Sequence, residues 1–353
     1  MDAFTYSTHA VRVIFGYGSL SRVGEEVARL GCTRVLVLST PGHRGHAERV
    51  AYVLGSSAKA VFDRAVMHVP IDTARAATAE ARRTDADGIV AIGGGSTTGL
   101  AKAVALELAL PIIAIPTTYA GSEATPIYGL TEGGLKRTGR DPTVLPKTIV
   151  YDPSLTLELP HLLGFASAMN AIAHAAEGLY AADRNPVTNL LAVEGMRAIA
   201  SAIPRMAVHP ADRDARSDCL YGAWLCGTVL GSVGMALHHK LCHAIGGRFG
   251  LPHAETHSCL LPHTLAYNAS CATAAMAMIA RAIERPSAPS GLHDLARENG
   301  ATLALRDIGL REDQIDAAVE LALANPYPNP RPLERAALRS LLINAWAGER
   351  PVD

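Results

Sequence analysis

Residues 88–118 read GIVAIGGGSTTGLAKAVALELALPIIAIPTT, and the fold turns on how this stretch is parsed. Two short apolar runs, 88–95 and 111–118, flank a segment from Thr97 to Leu110 of helical composition and length. Strand, helix and strand within about thirty residues make a βαβ unit. Such units build parallel sheets with ligand crevices at the carboxyl ends of their strands. Upstream, TRVLVLST (33–40) is another β-rich run. Beyond residue 155 the strand signals stop, and FASAMNAIAHAAEGLYAAD, NLLAVEGMRAIASAI, ATAAMAMIARAIE and PLERAALRSLLINAWAG all have helical patterning. The expected fold class is an α/β, Rossmann-like parallel-sheet domain followed by an all-α helix bundle.

Length supports two lobes, because 353 residues exceed the roughly 250–300 at which a single core stops growing. A formal charge of −1 argues against nucleic acid or an anionic membrane surface as partner. Six cysteines without a CxxC pair make neither a disulfide framework nor a zinc ribbon. The N-terminus lacks the basic start and apolar run of a signal peptide, so a cytoplasmic protein is expected. Residues 219–237, CLYGAWLCGTVLGSVGMAL, carry no charge and have the length of a membrane span. Their flanks hold no aromatic belt, and Gly222, Gly227, Gly231 and Gly234 suit close helix packing, so a buried core helix is expected instead.

The strand ends carry the first chemistry. Gly93, Gly94 and Gly95 end a strand where a helix starts, with Ser96 and Thr97 as capping candidates. Close backbone approach and free N–H groups at a positive helix end together bind a pyrophosphate. No Gly-Lys-Ser/Thr follows, and the spacing is not GxGxxG. A plain β-to-α connection uses glycine in the same way. Thr117, Thr118 and Ser122, at the carboxyl end of the next strand, favour a nucleotide.

Five of the fourteen histidines fall in HHKLCHAIGGRFGLPHAETH, residues 238–257. Asn170 and His174 are four apart and share a helix face, as do His239 and His243. His253 follows Pro252 at the start of a new helix, and HAETH puts Glu in the wrong slot for an HExxH protease. Several histidines converging on one crevice form a functional cluster. His238, His257 and His263 are read as packing residues, and His43 and His46 as surface residues.

The motifs GGGSTTGLAKA, PTTYAGSEATPIYGLTEGGLKRTGRDPTVLP, YDPSLTLELP, NAIAHAAE, ARSDCLYGAWLCG and LHHKLCHAIGGRFGLPHAETHSCLLPH together resemble the maleylacetate reductase branch of the iron-containing alcohol dehydrogenase superfamily. The resemblance covers nearly the whole chain. It implies a nucleotide-binding domain over 1–157, a helical domain over 158–353 with a dehydroquinate synthase-like architecture, an active site in the cleft between them, and a homodimer exchanging an N-terminal strand. The reaction implied is NAD(P)H-dependent reduction of the carbon–carbon double bond of maleylacetate to 3-oxoadipate, in the catabolism of aromatic compounds.

In metal-dependent members one Asp and three His hold the ion. Those positions fall here on Asn170, His174, His239 and His253. Asn replaces the only anionic ligand with a neutral amide, so no catalytic metal is expected. Gly99 departs from the Asp of GGGSxxDxxK, while Lys102 matches it. Ser39 and Thr40 end the first strand without the acidic residue that would exclude a 2′-phosphate, so NADH and NADPH are both expected to serve. Lys136 matches a nucleotide-contacting lysine. By the same resemblance His243 is the expected proton donor, with His174, His239 and His253 as oxyanion donors and Asn170 orienting them. Lys240, and behind it Arg248, are the candidates for binding the substrate's carboxylates.

Other readings remain. A metal-dependent alcohol or lactaldehyde dehydrogenase has the same fold, as does a dehydroquinate synthase-type lyase that keeps its NAD bound. A non-catalytic nucleotide sensor on this scaffold is a third.

Overall fold

The structure, a computed structural model, describes residues 3–133, 135–324 and 327–352, and only the backbone of Leu135 and Lys136. The chain divides into two compact units. One runs from Thr8 to Leu159; the other joins the segment up to Ser7 to the chain from Pro160 onward.

The first unit holds strands β1 (Arg12–Phe15), β2 (Val35–Leu38), β3 (Ala58–Phe62), β4 (Gly88–Gly93), β5 (Ile112–Pro116), β6 (Ile127–Glu132), β7 (Leu135–Arg140) and β8 (Thr148–Tyr151). Its helices are α1 (Val23–Arg29), α2 (Arg44–Leu54), α3 (Ile71–Arg83) and α4 (Gly95–Leu108). Six strands form one parallel sheet in the order β1-β8-β5-β4-β2-β3. Alternation sorts their side chains. Val35, Val37, Val90 and Ile92 enter one buried layer with Val23, Val27 and Val50 of α1 and α2. Leu36, Leu38, Ile89 and Ala91 enter the other with Ala77, Leu100 and Val104 of α3 and α4. A sheet covered on both faces explains why its strands read as continuous apolar runs. From β2 the chain moves outward to β3 and then returns to the other side as β4, so the switch point lies between β2 and β4. Ligands of such sheets bind there, outside the strands' carboxyl ends. β6 and β7 form a separate antiparallel hairpin.

The second unit is helical: α5 (His161–Gly178), α6 (Pro186–Val208), α7 (Arg213–Ser232), α8 (Leu237–Phe249), α9 (His253–Asn268), α10 (Thr273–Ala282), α11 (Ala288–Glu298), α12 (Ile315–Leu323) and α13 (Arg335–Ala347). Asn185 caps α6 by accepting from the Val187 and Thr188 amides, while Thr188 Oγ1 reaches back to the Asn185 amide. The apolar run 219–237 is not the single helix that was expected: α7 stops within it at Ser232, and α8, which starts at its last residue, Leu237, leaves at 96°. Cys219, Leu220, Ala223, Cys226 and Val229 of α7 have no exposure, which makes it a core helix. Among the described residues no single helix is long and apolar enough to cross a membrane. The described cysteines are all free, and only Cys271 is exposed.

Candidate active site

At the end of β4, Gly93 has φ 151, a conformation that favours glycine. A Cβ there would also lie 2.4 Å from Thr97 Oγ1. Gly94, not Ser96 or Thr97, is the N-cap of α4, and its carbonyl accepts from the Thr97 and Thr98 amides. The capping expectation is therefore corrected. The extended Gly94 already turns its carbonyl into the helix, which leaves Ser96 half-buried and Thr97 packed beneath Gly93 with no exposure. The Thr117 amide donates to Gly93 O at 3.1 Å, joining the two strand ends. Thr118 stands 3.0–3.1 Å from where a Gly94 Cβ would lie, and Ser122 Oγ 3.9 Å from the equivalent point on Gly95. Gly94, Gly95, Ser96, Thr118 and Ser122 thus surround one opening at the positive end of α4. Such an end suits a pyrophosphate.

Lys102 lies behind this opening. Its buried ammonium donates to Ser122 O (2.6 Å), Thr125 O (2.8 Å), Thr125 Oγ1 (3.0 Å) and Ile127 O (2.7 Å), pinning the loop that carries Ser122. Burial pulls its pKa down to about 7, with Glu123 opposing. Gly99 has a local cause: a Cβ there would meet Val69 Cγ2 at 2.7 Å, leaving no room for Asp. His43, expected on the surface, is half-buried. Its Nδ1 is 2.9 Å from Thr40 Oγ1 and its Nε2 3.5 Å from Thr117 Oγ1, so it bridges the ends of β2 and β5. Lys136 is on β7, but its side chain is outside the described residues.

In the helical unit α5 supplies Asn170, His174 and Glu177, α8 supplies His238, His239 and His243, and α9 supplies His253 and His257. His174 Nδ1 lies 2.7 Å from His239 Nε2, and His239 Nδ1 lies 2.6 Å from Glu177 Oε2. A carboxylate only accepts, so His239 donates from Nδ1 and turns Nε2 toward His174. Glu177 also accepts from the Ala236 (3.0 Å), His238 (2.8 Å) and His239 (3.3 Å) amides, which caps α8. Burial acts to raise the Glu177 pKa, but the hydrogen bond and charge of His239, with His238 and the Ala236 amide, outweigh it and hold it below 4.5. The rings of His243 and His253, both half-buried, stack with centroids 6.1 Å apart. These four histidines, with Glu177, are brought together. Asn170 is buried on the same helix as His174, yet its Oδ1 has no hydrogen-bond partner. It therefore does not orient the cluster through that oxygen, as was expected of it; Glu177 holds His239 instead.

His238 and His257 are also more than packing residues. Thr264 Oγ1 donates to Leu261 O or Leu260 O, so it accepts from His238 Nδ1 at 3.1 Å. His238 Nε2 is then an acceptor for His257 Nδ1 at 2.9 Å, and His257 Nε2 is left as a buried lone pair without a donor. Burial, and next the neighbouring imidazoles, push the pKa of His238 down to about 3 and that of His257 well below its ordinary value. His257 sits 4.5 Å from His253 and 5.1 Å from His239, ring to ring. With Cys242, these two histidines also form a buried trio of potential metal donors. An ion there would displace both the shared imidazole proton and that of Cys242, whose thiol burial pushes far up. The four positions Asn170, His174, His239 and His253 offer three imidazoles and a neutral amide, a weaker set for a divalent transition metal than one completed by a carboxylate.

Sequence reasoning missed Glu177, although it is the one charged residue between Glu158 and Asp183; a lone charge in an apolar helix was the available signal. Lys240 is partly buried on α8, whereas Arg248 is exposed at its last turn.

A switch-point sheet with a glycine-rich strand end, and a helical unit with a histidine cluster, fit a nucleotide-dependent oxidoreductase. A family model for iron-containing alcohol dehydrogenase matches residues 10–153, and one for the C-terminal part of the Fe-containing alcohol dehydrogenase family matches 165–346. The chain is 58% identical over 351 residues to maleylacetate reductase of Burkholderia cepacia, covering 99% of this chain and 100% of that one. A crystal structure of a putative alcohol dehydrogenase from Ralstonia eutropha superposes with a TM-score of 0.99 at 62% identity, over 100% of both chains. That of maleylacetate reductase from Rhizobium sp. gives 0.95 at 51% identity, over 99% of this chain and 100% of that one. The chain belongs to the iron-containing alcohol dehydrogenase family of oxidoreductases.

Proposed function

We propose that this protein reduces the carbon–carbon double bond of maleylacetate to give 3-oxoadipate, with NADH or NADPH as hydride donor and no catalytic metal. The observation that carries this reading is the histidine cluster organised by Glu177, with neutral Asn170 where a metal site would need its anion. The full-length likeness to maleylacetate reductases supports it.

A bound nicotinamide would supply hydride to the alkene carbon β to the ketone, which would place the alkene electron pair on the ketone oxygen as an enolate. Donors aimed at that oxygen stabilise it, each worth about 3 kcal/mol in a water-excluded site. His253 and His174 take this role, while His239, tied to Glu177 through Nδ1 and to His174 through Nε2, positions His174. His243 then protonates the carbon next to the ketone, its half-buried position giving access to solvent protons. Gly94, Gly95 and Ser96 would hold the nucleotide's pyrophosphate, with Thr117, Thr118 and Ser122 beside it; the family resemblance adds Lys136. No acidic residue lies between Ser39 and His46 to exclude a 2′-phosphate, and Arg44 is paired with Glu48 and Asp63. Either nucleotide is accommodated. β1 is an edge strand, and an open strand edge supports assembly as a homodimer.

The test is NADH oxidation by EDTA-treated protein supplied with maleylacetate. Rapid oxidation is expected. Activity appearing only on return of Fe²⁺ or Zn²⁺ would keep the substrate but show that Asn170 has not abolished the metal site, and none under either condition would reject the substrate.

A further inference from the structure

We propose that the turn His68–Val69 is a strained positioning device for the nicotinamide nucleotide: Thr131 holds it left-handed so that Val69 bears on α4, the helix whose start takes the pyrophosphate. This rests on the nucleotide site proposed above and adds to it residues outside the glycine-rich strand end.

His68 has φ 65 and Val69 φ 48, two consecutive non-glycine residues in the left-handed region. The other described non-glycine residues with positive φ are Asp85, Ala109 and Glu284. Each lies just past the end of a helix, α3, α4 and α10 in turn, where a left-handed residue is a common way to stop. His68 and Val69 instead precede a helix, since α3 begins at Ile71. Val69 is the harder case. It is β-branched, and Pro70 after it steers it toward extended backbone. Such strain persists only where surrounding contacts impose it, and it gathers at ligand clamps.

The imposing contacts are specific. Thr131, on β6, donates from Oγ1 to His68 O at 2.7 Å and from its amide to Val69 O at 3.1 Å. One threonine thereby takes both carbonyls of the turn. Val69 is buried, and Gly99 admits it to α4, because a Cβ on Gly99 would meet Val69 Cγ2 at 2.7 Å. Gly99 lies about one helical turn beyond Gly95, where α4 opens. The turn also stands at the ligand-binding end of the sheet. It belongs to the loop leaving the carboxyl end of β3, and in that loop the Ala65 amide donates to Ser39 O, just beyond β2, at 3.0 Å. Nucleotides bind such sheets at that end. Wedged between β6 and α4, the turn fixes where the start of α4 meets the pyrophosphate.

The experiment titrates NADH by fluorescence, without maleylacetate, into the full-length wild type, T131V, T131S, H68G and H68G/T131V, with thermal melting as the control for folding. T131V keeps the shape but loses the hydroxyl's bond, and its NADH Kd should rise about fivefold, the scale of one hydrogen bond. T131S should bind like the wild type. H68G takes the left-handed backbone without strain, so it should also bind like the wild type. In the double variant it should restore most of the affinity lost in T131V, because a relaxed turn needs no holding. A threonine with a merely structural role would give independent, additive effects instead. Unmoved NADH affinity in T131V, or a loss that H68G does not rescue, overturns the proposal. V69A withdraws the wedge without touching Thr131; it too should weaken NADH, and it decides the matter if T131V fails to fold. In steady-state kinetics the NADH KM of T131V should rise while kcat and the maleylacetate KM stay unchanged. A wild type that binds NADH without reducing maleylacetate would reject the substrate proposed above, and the variants would still decide the turn; a wild type that binds no NADH rejects the nucleotide site and the turn together.

Discussion

Glu177 Oε2 lies 2.6 Å from His239 Nδ1. The same carboxylate accepts the Ala236, His238 and His239 amides. One buried group thus fixes both the direction of α8 and the orientation of the His239 imidazole. Removing the acceptor in E177A leaves those donors buried and unpaired, which costs about 3–5 kcal/mol. Urea unfolding should show that loss, and turnover should fall with it. An E177A protein with wild-type stability and rate would mean that the cap is dispensable.

Asn170 places a neutral oxygen without a partner beside His174. N170D restores the missing anion to a set of three imidazoles, and the variant should hold about one Zn²⁺ or Fe²⁺ per chain after dialysis. The wild type, treated alike, should hold far less. Elemental analysis decides the question without reference to activity. Equal metal contents would show that the neutral amide does not weaken the site.

Glu26 accepts from Arg29 Nε at 2.7 Å and Arg12 Nε at 3.1 Å, tying α1 to β1. Burial acts to raise its pKa, but the hydrogen bonds and charges of Arg29 and Arg12 prevail and hold it below 4.5. With the folded value below the unfolded one, the stabilisation is complete above the unfolded value and is lost as pH falls through the folded one. E26Q should melt below the wild type at pH 7, and the gap should close from about pH 5 downward. A gap independent of pH would assign the effect to packing rather than charge.

How far the sequence could be read depends on the range of the forces involved. β4, α4 and β5 were legible because burial on both faces makes their strands continuously apolar and a long helical stretch separates them. The histidines that converge were visible as spacings of four on single helices. The break between α7 and α8 was not legible, because the groups that accept its amides, Asp183 and Glu177, lie elsewhere in the chain. The start of α4 was misplaced by two residues, since Gly94 takes the capping position through its carbonyl and makes a side-chain cap unnecessary. The roles of His238 and His257 depend on the Thr264 hydroxyl's direction of donation, and that of Asn170 on an orphaned oxygen. Neither leaves a mark on composition or periodicity.

The glycines of α7 did leave such a mark, and at Gly222 its meaning is specific. A Cβ there would lie 2.6 Å from Gly195 O and 2.6 Å from Ile199 Cγ1, and one on Gly195 would lie 2.7 Å from Cys226 Sγ. α6 and α7 therefore approach almost backbone to backbone, and the clash at Gly222 is with a carbonyl oxygen that cannot rotate away. G222A should cost about 1–3 kcal/mol by overpacking and lower the melting temperature by several degrees. G246A on α8, where the added Cβ would have Leu251 O at 3.9 Å as its nearest neighbour, should cost less than G222A because alanine also favours the helix. Equal stability of the two variants would show that the helices slide apart freely, and that the close crossing is not what holds the helical unit together.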